Sequence, residues 1–139
     1  MKMTWTLYAI LALLFFSGMI LLFKKASDLG VKPAVIMFFV AISLAVFYVA
    51  HVAITKTPIK QSWTIIALLV LAGFLSYAGN LFYTKSIALA PNPGYAAALV
   101  GLQLAVIALA SIFFFKSELT VIKGTGLLLA IIAGILLSI

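Results

Sequence analysis

The chain has no cysteine and no arginine, and its 139 residues include only two acidic side chains and one histidine. Each absence removes a class of chemistry. Without thiols there is neither a disulfide framework nor a thiolate metal site. One imidazole and two carboxylates cannot build an all-protein metal cage, so no metal and no other cofactor is expected. The acids, Asp28 and Glu118, stand far apart in sequence. No Gly-rich phosphate cradle or nucleophile motif accompanies them, so the chain does not read as an enzyme. Nucleic acid is an unsuitable partner despite a net charge of +7, because the nine lysines are scattered among apolar runs. There is also no guanidinium to grip phosphates or bases. The deepest deficit is charge itself: charged residues make up 8% of the chain, against about 25% in a soluble domain. A water-facing exterior cannot be built from so few. The lipid bilayer is the expected surroundings.

What the sequence does have is long apolar runs. Residues 3–23, 33–55, 61–84 and 86–115 carry no charged side chain, and 124–139 forms a shorter run of 16. A bilayer crossing takes about 20 apolar residues, so the first four qualify directly. The last qualifies if it starts near Thr120 and Lys123 snorkels to the headgroups. The expected fold is an all-α integral membrane protein. Its single domain, residues 1–139, carries five transmembrane helices near 4–23, 34–54, 63–84, 93–115 and 120–138. The first run is too long, and its flank too weakly basic, for a signal peptide, so it reads as an anchor. Pro91 and Pro93 break any helix passing through them. Asn92 suits an N-cap with Pro93 in the first helical position, which leaves Ser86–Ala90 to prolong the third helix.

Lysine placement should orient such a protein, because cytoplasmic loops carry an excess of positive charge. Lys2, Lys56, Lys60, Lys116 and Lys123 fall on one side, and Lys24, Lys25, Lys32 and Lys85 on the other. Five against four is nearly balanced. Either the early Lys24-Lys25-Lys32 cluster decides, or both orientations are inserted and pair antiparallel.

Polar side chains inside the runs are the candidate binding residues, since they are costly in lipid and usually face the bundle interior or a water-filled path. Gly73, Ser76, Tyr77, Asn80 and Thr84 share one face of the third helix at i, i+3, i+4, i+7 and i+11. Gln103 lies near the middle of the fourth. The amides of Asn80 and Gln103 offer both donors and acceptors, suited either to a polar solute or to hydrogen bonds between helices. Tyr8 shares a face with Trp5 near a membrane edge, where it could serve the site or an aromatic belt. His51 is the one histidine, the side chain a proton-coupled mechanism would use, but its place near a helix end favours an interfacial role over proton coupling. Gly126, Ala130, Gly134 and Ser138 recur at i+4 on the last helix, a small-residue stripe that lets helices approach closely. That stripe fits packing within one protomer or an interface between two.

The Ala- and Pro-rich stretch Ala88-Leu89-Ala90-Pro91-Asn92-Pro93-Gly94-Tyr95-Ala96-Ala97-Ala98 is followed by Lys116-Ser117-Glu118-Leu119-Thr120 and then by a Gly-flanked final helix over 124–137. Together these resemble one five-helix repeat of the EamA-type transporters of the drug/metabolite transporter superfamily. The resemblance implies a membrane transporter that moves a small polar or amphipathic metabolite by alternating access. Full-length relatives carry two such repeats in inverted orientation, an arrangement that places substrate near the midplane. A lone repeat therefore implies a homodimer, possibly antiparallel, with a small-molecule substrate. A cell membrane, the prokaryotic inner membrane, is the expected location. Two alternatives stay open: a non-transporting subunit of a larger complex, and a translocator of lipid or polyprenyl carriers. The proton-trading Glu that small multidrug resistance proteins carry in their first helix has no counterpart in residues 3–23.

Overall fold

The computed structural model describes residues 5–137 and is all-helical, with no strand among the described residues. In chain order the helices are α1 (Trp5–Asp28), α2 (Pro33–Thr55), α3 (Trp63–Leu89), α4 (Pro93–Gly101), α5 (Gln103–Phe115) and α6 (Val121–Leu136). Four segments are long and apolar enough to cross a membrane: α1, α2, α3 and the α4–α5 stretch Pro93–Phe115. The fifth apolar helix, α6, has 16 residues. At 1.5 Å per residue it rises about 24 Å, short of a hydrocarbon core about 30 Å thick. Thr4 and Ser138, at the edges of the expected first and last helices, lie outside the described residues. The helices fall into two compact units, one ending at Ala88 and the other beginning at Leu89.

In the first unit α1 runs past its expected end at Phe23, through Lys24 and Lys25, to Asp28. Charge ends an apolar run but does not end a helix. What stops α1 is Gly30, whose φ of +83° is in the left-handed region. The Gly30 amide donates to the Ser27 carbonyl at 2.9 Å and the Val31 amide to the Ala26 carbonyl at 3.1 Å. This is a Schellman closure, satisfying two carbonyls that the helix end would otherwise leave bare. Lys32 then takes the N-cap position of α2 with Pro33 in the first turn. The hairpin so formed packs α1 on α2. Lys24 Nζ lies 3.3 Å from Asp28 and donates to the Ala88 carbonyl at 3.4 Å, joining the end of α1 to the end of α3.

α3 continues through Ser86 to Leu89 before Pro91 halts it, as the two prolines require. In the second unit, Asn92 caps α4 through Oδ1, which accepts from the Gly94 amide at 2.8 Å. Pro93 occupies the first turn, as its fixed φ suits. α6 is capped by Thr120, whose hydroxyl accepts from the Lys123 amide at 3.4 Å.

The expected fourth helix, 93–115, is two helices. Leu102 interrupts it: its amide bonds the Leu99 carbonyl at 3.1 Å, and the Ala105 amide bonds the Leu102 carbonyl at 3.0 Å. Both are three-residue steps, a tightening that breaks the four-residue ladder. The side chain of Leu102 lies over Gly134 of α6. A Cβ at Gly134 would sit 2.6 Å from Leu102 Cδ2 and 3.3 Å from the Ala98 carbonyl oxygen. Glycine is therefore what lets α6 seat against α4. The small-residue stripe does not present one face along its length. A four-residue spacing drifts about 40° per step on a 3.6-residue helix, so Gly134 is buried and Ala130 half-buried, while Gly126 is exposed.

Gly134→Leu should destabilise the second unit by about 1–3 kcal/mol, the usual cost of overpacking a tight contact. Leu102→Ala in the same chain should recover much of that loss, read as thermal unfolding in detergent. An unshifted single variant would remove the α4–α6 contact from the packing argument.

Candidate functional site

α3 carries the polar face. Ser76 and Asn80 are one turn apart, and Asn80 Nδ2 donates to the Ser76 carbonyl at 2.9 Å and to Ser76 Oγ at 3.1 Å. Thr84 is fully buried and donates to the Asn80 carbonyl at 2.8 Å. These bonds stay within one helix, which resolves how a polar stripe is carried on an apolar span: each group bonds a carbonyl one turn earlier. The amide hydrogens of Asn80 are used in this way, and Oδ1 has no hydrogen bond among the described residues. It remains an acceptor on a residue that, like Tyr77, lines a cavity.

Opposite this face lies α2. Gly73, Ser76, Tyr77, Asn80 and Leu81 of α3 line a cavity of about 510 Å³ together with Ala34, Met37, Phe38, Ala41 and Leu44 of α2. That volume falls in the range of small-molecule sites, which pair apolar walls with a few placed polar groups. Gly73 has no atom within 4 Å of where a Cβ would stand. Its missing side chain is therefore part of the open space.

The structure thus brings together Ser76, Tyr77 and Asn80. Tyr8 is on α1 and does not line this groove, and Gln103 opens α5 of the second unit. Tyr8 is exposed, near the start of α1. Gln103 is exposed as well, directly after the Leu102 interruption, in the second unit. His51 is exposed within the last turns of α2. The groove's α2 wall was not singled out in the sequence. Residues 33–42 are all apolar, so no periodic signal there distinguishes the face that turns toward α3 from the others.

A set of apolar helices with a narrow polar face between two of them defines a helical multi-pass membrane protein with a solute-sized groove. The chain belongs to the EamA-like transporter family, whose family model matches residues 3–139, and members of that family are membrane transporters. No curated protein and no solved structure matches the chain.

If the polar stripe serves a solute and not the fold, it can be replaced without unfolding the protein. Asn80→Leu, which exchanges bonds within one helix for a side chain suited to lipid, should change detergent stability by less than about 1 kcal/mol. A loss of several kcal/mol on thermal unfolding would assign Asn80 to packing.

Proposed function

We propose that the protein is a transporter that takes a small polar or amphipathic metabolite into the α2–α3 groove and exposes it alternately to the two sides of a prokaryotic inner membrane. The observation that carries this reading is the cavity of about 510 Å³ in which Ser76, Tyr77 and Asn80 face an apolar wall. The open Asn80 oxygen and the Tyr77 hydroxyl suit donors and acceptors on a solute, while Met37, Phe38 and Leu44 suit its apolar part. Gln103 is proposed as a separate solute contact in the second unit, since an interrupted membrane helix is where a transporter can present polar groups at depth. Tyr8, near the start of α1, is proposed as a contact at the membrane edge.

Flux in liposomes containing only this protein tests the reading, with uptake of a defined metabolite mixture read by mass spectrometry. Gly73→Leu, at a position where an added Cβ meets no atom within 4 Å, should fill the groove and lower uptake by about tenfold or more, equivalent to about 1.4 kcal/mol. Gln103→Leu should lower uptake severalfold at unchanged expression. Absence of flux from the native chain would instead favour a non-transporting subunit of a larger complex. Uptake of lipid alone would favour a translocator of lipid-linked carriers.

The working unit is proposed to be an antiparallel homodimer. Its support is the near balance of five lysines against four and the inverted pairing implied by a lone repeat. Gln61→Lys with Ser117→Lys shifts the balance to seven against four and should lock one orientation. That variant should lose transport, and co-expression with a variant locked the opposite way by lysines in the 24–32 loop should restore it. Full activity from the locked variant alone would leave a parallel assembly or a monomer.

A further inference from the structure

α2 has a second groove on its other side. Leu14, Gly18 and Ala26 of α1 and Val31, Ile36 and Phe39 of the turn and α2 are among the residues lining a cavity of about 660 Å³ that is almost wholly apolar. From Leu14 to Ala26 the groove follows α1 for 12 residues, about 18 Å at 1.5 Å per residue. One leaflet of hydrocarbon is about 15 Å deep, half of a core about 30 Å thick. The groove is therefore about as long as one leaflet is deep, the reach of one acyl chain.

Its outer end is the α1–α2 turn, and that end is positively charged. Ala26 and Val31, the outermost lining residues, are adjacent in sequence to Lys25 and Lys32, both exposed. The charge of Asp28 is engaged by Lys24 at 3.3 Å. Among the described residues, no ion pair involves Lys25 or Lys32. The Schellman closure at Gly30 fixes the backbone of the turn between the two lysines.

We propose that the α1–α2 groove is a docking site for one anionic glycerophospholipid of the bilayer, its acyl chain along Gly18 and its headgroup phosphate between Lys25 and Lys32. Charge at the mouth, an apolar floor and a length of one leaflet are the three features of such an amphiphile in order from the surface inward. Juxtamembrane lysines attract anionic headgroups individually, and two acting on one headgroup add. The site is on the face of α2 opposite the proposed solute groove and does not depend on that reading.

The test uses the full chain in detergent with phosphatidylglycerol and phosphatidylcholine of matched acyl chains, with retained lipid counted by native mass spectrometry. The native protein should retain phosphatidylglycerol about tenfold better than phosphatidylcholine. The surface variant Lys25→Gln/Lys32→Gln should lose that preference and retain the two lipids alike. Gly18→Leu, at a position with no atom within 4 Å of the added Cβ, should lower retention of both lipids. Equal retention of the two lipids by the native protein, or a preference unchanged in the double-lysine variant, would overturn the proposal. So would efficient disulfide cross-linking of two Gly18→Cys chains in the membrane, because the groove would then hold a second copy.

Discussion

In lipid no water is present to satisfy a polar group, and this single constraint shapes the whole chain. Helices answer it for the backbone. The side chains answer it in the same way: Ser17, Ser43, Thr55, Thr84 and Thr125 each donate to the carbonyl four residues earlier, at 2.8–2.9 Å. Asn80 does likewise with the Ser76 carbonyl at 2.9 Å. Polar residues can therefore be spread along apolar helices without needing partners on other helices. One consequence concerns function. A polar group already satisfied within its own helix keeps its remaining lone pairs for something else, and Asn80 Oδ1 is the clearest case.

The first unit turns this economy into two unlike grooves separated by one helix. Every α2 residue lining either groove is apolar, so what each face encloses depends on what stands opposite. Against α3, with its glycine, hydroxyls and amide, it makes a mixed polar and apolar space. Against α1 it makes an apolar one, and only the loop beyond it supplies charge. The same helix thus serves as the wall of a solute-like site and of a lipid-like site. Lys24, bonded to Asp28 and to the Ala88 carbonyl, fixes the end of α1 to the end of α3.

In the second unit, close packing is set by the smallest residues. Gly134 admits Leu102 so closely that even a methyl group would collide. That contact sits at the interruption between α4 and α5, so a neighbouring helix packs against the place where the membrane helix loses its ladder. A break at membrane depth is tolerated when it is covered by protein, and α6 covers this one. Gln103 follows immediately, an amide placed where the backbone is already irregular.

The sequence alone determined the solvent, the helical class and most of the punctuation. Charge scarcity and run length depend on composition, and the caps at Asn92 and Pro93 and the continuation of α3 to Leu89 are local chemistry, so each could be read without a partner in view. The α3 polar face was legible for the same reason, because periodicity within one helix is a property of that helix. Only the tertiary structure decided which faces meet. It made Gly134 a contact while leaving Gly126 open, split the 93–115 segment at Leu102, and chose the α2 residues that face Asn80. It also left Tyr8 of α1 out of the groove that Ser76, Tyr77 and Asn80 line. The physical reason is that α2 and α5 are apolar on nearly all sides. A helix with no polar face can turn any side toward a neighbour at similar cost in lipid, so the choice rests on the fit of side chains that are distant in sequence.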